Sequence, residues 1–287
     1  MCDGCVDLTN PENAGLQEPI DAIYTIVEKY KDTFSRADVW AMATLVSADA
    51  SLVSGRPNGI AFPMNYVGRQ DCDGASPKGE GGPDVTMPSP DSTTHELLNF
   101  FKTDFGFSVE ETVAIMGVHA VAVAHRENVG FGNLGKEEGW VYEAEEYILD
   151  NRYYGMLVQP ELHGTATWQL ELVHNNNSIP SRYQWFFEKD GEEERPIMTN
   201  ADMALVRDCS DHMHVDNDGN MGAVNCTYSE MKARESGMPS CPIAVDTIGK
   251  MMEYQLDNEM FLYDFEKVLE KMVGNGYPES ALYRVNH

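Results

Sequence analysis

Apolar residues in this chain recur three and four positions apart, and several of these runs open on a side chain able to cap a helix. Ser108-Val109-Glu110-Glu111 is the clearest case. Ser108 can accept from the amide of Glu111 while Glu111 reaches back to the amide of Ser108, which predicts a helix through Val113, Ile115 and Met116 to about His119. Ser35, with Asp38 three residues on, opens another over about 36–49, whose expected core face is Val39, Met42, Ala43 and Val46. Residues 17–31 read as amphipathic, with Pro19 near the start and Ile20, Ile23, Tyr24, Val27 and Tyr30 along one side. Shorter helices are expected over 94–101 (Leu97, Leu98 and Phe101 inward), 153–158 and 203–206. The last two run over 244–255 and 259–273. The second carries Phe261, Phe265, Val268, Leu269 and Met272 on one face, with Gly274 where a C-terminal cap belongs. Only 165–173 and 183–188 read as short strands. Residues 54–91 and 130–146 read as irregular loops, and 209–241 as a Cys- and Asn-rich excursion. The expected class is mostly α with little β.

The 287 residues, 42% of them hydrophobic and 10% aromatic, fill a core of one large domain or two small ones. Forty-seven acidic residues face 20 basic ones, a formal charge of −27 that repels nucleic acid and anionic membrane surfaces alike. Apolar runs such as Ala120 to Ala124 are far too short to span a bilayer. The opening Met1-Cys2-Asp3-Gly4-Cys5 has no signal-peptide pattern. Six cysteines and the sequons at Asn176 and Asn225 lean instead toward a secreted or lumenal location, so the compartment stays open.

His119 lies in a small, apolar stretch, Gly117-Val118-His119-Ala120-Val121-Ala122-Val123-Ala124-His125. A histidine buried there must satisfy both ring nitrogens. From spacing alone, a core histidine bonded to backbone carbonyls is the favoured reading. On a helix, His119 and His125 would project about 120° apart, which argues against a shared metal. Cys2-Asp3-Gly4-Cys5 is weak as a metal knuckle, since no second pair stands at zinc spacing.

Several segments nevertheless stand in a telling order. Asn13-Ala14-Gly15-Leu16 is followed by Ser35-Arg36-Ala37-Asp38, Gly68-Arg69-Gln70-Asp71 and Met87-Pro88. Then come Glu111 through His119 to Gly130-Phe131, Leu149-Asp150-Asn151-Arg152-Tyr153-Tyr154, and Ala201-Asp202-Met203-Ala204-Leu205. In order and residue type these resemble the plant, fungal and bacterial haem peroxidase superfamily, closest to the cytochrome c and ascorbate peroxidase pattern. The resemblance implies a two-lobed, mostly helical fold with long irregular loops. It implies one domain over 1–273, with an incomplete distal lobe over about 1–104 and a proximal lobe over about 105–273. Residues 274–287 would be a C-terminal tail.

The resemblance also implies a haem-dependent peroxidase that reduces hydrogen peroxide and oxidises a small-molecule or protein electron donor. His119 would be the axial ligand of the iron of haem b. Asp202 would take the other ring N–H, fixing the tautomer and raising the basicity of the ligand; without the resemblance it reads as a helix-capping aspartate. Trp140 falls near the family's proximal tryptophan, though a core or loop tryptophan fits equally. His125 resembles a residue near the haem propionates, against a helix-surface histidine. Asn13 resembles the residue that orients the distal histidine, and Asp3 a remnant ligand of a distal calcium. The proximal cation site is thinner still, because Ala120 has no side-chain oxygen and Asp150 alone remains.

Other departures bear on activity. The family's distal helix carries Arg-x-x-x-His, an acid–base pair for peroxide. It should end just before Cys2-Asp3-Gly4, where Met1 stands. None of the eight histidines follows an arginine by four residues. The arginine that serves ascorbate peroxidases aligns with Asn128. Three expectations result: a peroxidase whose N-terminal end is absent from this sequence, a non-catalytic haem-binding relative, or an acidic structural protein that binds no haem.

Overall fold

The computed structural model describes residues 3–52, 62–82, 87–132, 138–142, 147–158, 167–175, 181–188, 195–228, 233–234 and 236–285. Among them, the helices in chain order are α1 (Gln17–Tyr30), α2 (Arg36–Ala50), α3 (Thr94–Phe105), α4 (Val109–Met116) and α5 (Arg126–Val129). They continue with α6 (Arg152–Val158), α7 (Asn200–Met203), α8 (Ile248–Leu256) and α9 (Asn258–Val273). The strands are short: β1 (Tyr66–Val67), β2 (Val123–Ala124), β3 (Glu138–Gly139), β4 (Thr167–Val173), β5 (Arg182–Glu188), β6 (Ile197–Met198), β7 (His214–Val215), β8 (Met221–Gly222) and β9 (Tyr283–Arg284). The fold is mostly α, as the periodicities predict. None of the described helices is long and apolar enough to cross a membrane.

Two compact units form. The first comprises Met1–Met87 with Glu266–His287, and the second Pro88–Phe265, so α9 contributes to both. The first unit thus includes the 274–287 stretch read as a tail: β9 pairs antiparallel with β1, Tyr283 opposite Val67.

In the first unit, Ser35 caps α2 by accepting from the amide of Asp38 at 3.0 Å. The Asp38 carboxylate then receives Gly68 N–H at 2.7 Å, Arg69 N–H at 3.2 Å and the Arg69 guanidinium at 2.9 Å. Asp71 in turn accepts from the amides of Ala37 and Arg36 at the start of α2. Two motifs thirty residues apart are thereby locked together, and a Cys5–Cys72 disulfide ties the N-terminal loop alongside. The face of α2 matches expectation at Val39 and departs from it at Met42 and Val46. Ala37, Val39, Ala41 and Leu45 are buried, whereas Met42 is 40% and Val46 58% exposed. Apolar side chains surround this helix, so periodicity could not choose the buried side. Gly274 is not the left-handed cap either; the positive φ falls at Gly276, 86°. The carbonyl of Val273 instead accepts from Arg69 Nε at 2.8 Å, which satisfies the helix end without a glycine turn.

In the second unit, capping boxes at Thr93 and Ser108 start α3 and α4. Strands β4, β5 and β6 form an antiparallel sheet with Trp168 opposite Phe187 and Trp185 opposite Met198, all four buried. Tyr154, Tyr254 and Phe261, from α6, α8 and α9, pack with ring centroids 5.0–5.7 Å apart. Helix α8 starts at Ile248 rather than 244, because the preceding residues pair elsewhere. Ala244 N–H bonds to Val206 O at 3.1 Å and Thr247 Oγ1 donates to Leu205 O at 2.7 Å.

Candidate functional site

The helix expected to reach His119 changes pitch on the way. α4 ends at Met116 and the chain tightens into a 3-10 turn over Gly117–Val121. Gly117 is where this happens, and a Cβ there would stand 2.4 Å from the Tyr154 hydroxyl and 2.5 Å from the Phe261 ring. Tyr154 in turn donates to Val113 O at 2.9 Å, so the turn carrying His119 is pinned to the aromatic core. Ala120 is fully buried, while the His119 side chain keeps 27% exposure.

The partner of His119 comes from 83 residues further on. Nδ1 lies 2.6 Å from Asp202 Oδ1. Asp202 is the third residue of α7, and its Oδ2 accepts from the N–H and hydroxyl of Thr199 at 2.8 and 2.7 Å. It is therefore a helix-capping aspartate and the partner of His119 at once, the two readings that the sequence left as alternatives. Trp140 Nε1 donates to Oδ2 at 2.7 Å and the Tyr153 hydroxyl to Oδ1 at 2.8 Å. A completely buried carboxylate thus meets five donor groups. Burial alone would raise its pKa, but the positive charge of a protonated His119 and the hydrogen bonds of His119, Thr199 and Trp140 outweigh that and hold it below the usual range. Burial, then the Asp202 charge, pushes the Tyr153 hydroxyl well above its ordinary value, so it stays a donor.

Trp140 is delivered by a two-residue ladder in which β2 and β3 pair with Val123 opposite Gly139. The turn after His119 and the residue before Trp140 are held side by side, and the two rings lie 4.7 Å apart at 37°. Tyr153 stands edge-on to His119 at 5.9 Å. Among the described residues, Nε2 of His119 has no hydrogen-bond partner.

Of the residues singled out in the sequence, the structure brings His119, Asp202 and Trp140 together. It adds Tyr153, which lay in a quoted motif without a role. The usable signal was its place at the start of the buried α6 face. His125 is exposed, occupies the N-cap position of the short α5 without a side-chain capping bond, and approaches Glu127 at 4.0 Å. Asn13 belongs to the first unit, where its side chain donates to Asp7 O at 2.8 Å. Asp3 is also there, its Oδ1 accepting from Cys5 N–H at 3.2 Å. The Asp150 carboxylate accepts from the amide of Arg152 at 3.0 Å, with the guanidinium of the same residue 3.3 Å away.

A family model described as peroxidase matches residues 2–217, a span that holds His119, Trp140, Tyr153 and Asp202. The chain belongs to the peroxidase family. Its motifs and its helical fold agree with the haem peroxidase superfamily. The mitochondrial cytochrome c peroxidase of Neurospora crassa is 24% identical over 266 residues, 93% of this chain and 54% of that protein. The cytosolic L-ascorbate peroxidase 2 of Oryza sativa subsp. japonica is 30% identical over 155 residues, 53% of this chain and 52% of that protein. The chain spans about half the length of these relatives.

Proposed function

We propose that this chain binds haem b through His119 and acts as a haem-dependent peroxidase, reducing hydrogen peroxide and oxidising a small-molecule or protein donor. The observation that carries this reading is the state of one imidazole: Nδ1 rests against a buried carboxylate, and Nε2 has no partner among the described residues. An axial imidazole needs both properties. Metal takes the free nitrogen, and a carboxylate on the other fixes the tautomer and strengthens the ligand. The residues therefore fit the group. Bound haem supplies the two-electron reduction of peroxide and the stepwise oxidation of a donor.

The protein's own residues set up that chemistry. Asp202 keeps its negative charge in a dry site and directs it at the Nδ1–H of His119. Thr199, Trp140 and Tyr153 hold the carboxylate so that it cannot turn away. Trp140, tilted against the imidazole, restricts its rotation. The net charge of −27 favours cationic donors over anionic ones. The Cys5–Cys72 and Cys226–Cys241 disulfides support an oxidising compartment, secreted or lumenal.

Haemin titration of the purified chain tests this. A Soret band should grow to one haem per chain and be lost in His119→Ala; an unchanged spectrum in that variant removes His119 as the ligand. A second reading is haem binding without peroxide cleavage. Turnover of a phenolic donor with peroxide separates the two. A chain that stays colourless after haemin addition sinks both.

A further inference from the structure

Three cysteines from separate stretches of the second unit meet in its interior, outside the His119 site; Cys209 lies within the residues matched by the family model, and Cys226 and Cys241 lie beyond them. The Sγ atoms of Cys209, Cys226 and Cys241 all lie within 4.8 Å of one another, and the residues are 7%, 4% and 1% exposed. Cys226 and Cys241 form a disulfide with Cα atoms 5.0 Å apart, and Cys209 is a free thiol. Backbone bonds hold the three stretches together independently of that disulfide. Asp208 N–H bonds to Pro242 O at 2.9 Å, Cys241 N–H to Thr227 O at 2.8 Å and Thr227 N–H to Pro239 O at 2.9 Å. Arg207 bridges Ile243 on the same seam.

Opening the disulfide would therefore leave three thiols still facing one point. A tetrahedral zinc ion with Zn–S bonds of about 2.3 Å needs its sulfurs about 3.8 Å apart, so small side-chain movements suffice. Three thiolates around a dication leave one net negative charge in the interior. Arg207, two residues from Cys209, stands ready to offset it. Its guanidinium lies 4.8 Å over the Tyr228 ring, and its Nε is buried with no hydrogen-bond partner among the described residues.

We propose that the reduced chain binds one soft divalent cation, of the zinc type, on Cys209, Cys226 and Cys241, and that disulfide and metal are alternative states of this site. Thiolate ligands select such an ion over magnesium or calcium. The site opens when a dithiol reductant gives two electrons and two protons to the Cys226–Cys241 bond, becoming a disulfide itself and leaving two thiols. Metal binding releases three thiol protons to solvent. Oxidation by hydrogen peroxide reverses this: two thiolates give two electrons to the peroxide, which takes up two protons and leaves as two waters. The S–S bond forms again, and the ion loses two of its three protein ligands.

The test uses the full chain, reduced with a dithiol, desalted under argon and titrated with zinc against a chromophoric chelator. The untreated chain, Cys209→Ser and Cys72→Ser are run in parallel. One tightly held zinc per reduced chain is expected, and none on the untreated chain. Cys209→Ser should weaken binding by at least about tenfold, while Cys72→Ser leaves it unchanged. Cobalt in place of zinc should give a thiolate charge-transfer absorption that weakens in Cys209→Ser. Untreated Cys209→Ser should keep the parent circular dichroism, since this thiol forms no disulfide; if serine unfolds the chain, Cys209→Ala replaces it with the same expectations. Equal affinity in the Cys209 variant, loss only in Cys72→Ser, or a reduced chain that unfolds and does not recover with zinc would each overturn the proposal. None of these outcomes depends on haem.

Discussion

Asp38 in the first unit and Asp202 in the second occupy the same local position, third in a helix capped by a hydroxyl residue, and both are buried. Their environments are opposites. Asp38 faces a permanent cation, the Arg69 guanidinium, with both side chains under 5% exposed. Its remaining capacity goes to two loop amides, so the charge is consumed in holding the loop. Among the described residues Asp202 meets no arginine or lysine; the donors of Trp140, Tyr153 and Thr199 surround it, together with the imidazole of His119. A carboxylate neutralised by arginine fastens a fold. One kept charged by an imidazole and neutral hydrogen-bond donors still has that charge to direct at a ligand.

The largest effect expected from this contrast is on stability. Asp38→Ala leaves the Arg69 guanidinium buried and uncompensated, and should cost about 3–5 kcal/mol in urea unfolding. Asp202→Asn leaves no buried charge behind and should cost less, about 1–3 kcal/mol. The reverse order would break the comparison. The pH dependence sharpens it. The Asp202 carboxyl lies below its ordinary pKa in the folded chain. Its stabilisation is therefore full above the unfolded value and declines as pH falls below about 4, disappearing beneath the native value. Urea midpoints at neutral and acid pH should differ less in Asp202→Asn than in the parent.

Tyr153→Phe removes one of five donor groups and should cost about 1–2 kcal/mol, while moving the acid transition of Asp202 upward. A variant indistinguishable from the parent in both measurements would show the tyrosine to be packing alone. The smallest effect belongs to the first unit. Val46→Ser on the exposed side of α2 should stay within about 0.5 kcal/mol, whereas Leu45→Ala, one residue away and 3% exposed, should cost about 2–5 kcal/mol. Equal losses would restore the face expected from periodicity.

Those two neighbours show where sequence reading stops. The start of α2 followed from Ser35 and Asp38, since a cap is a contact between residues three apart. Its buried side did not, because apolar residues ring the helix and only a neighbour selects among them. The same division holds at the candidate site. Spacing alone favoured a core histidine at 119 and a capping aspartate at 202, and it took an ordered set of motifs to suggest that they belong together. Trp140 stood open between site and core, and Tyr153 went without a role, because nothing local distinguishes a tyrosine that donates to a carboxylate from one that merely packs.

What the chain determined by itself was local: the capped helix starts and the acidic composition, each set within a few residues or by residue counts. Tertiary structure alone decided the rest. It brought together an imidazole and a carboxylate 83 residues apart, joined Cys226 to Cys241 while leaving Cys209 beside them, and ended α9 on an arginine rather than a glycine. Each of these depends on burial, and burial is a property of what the rest of the chain places around a residue.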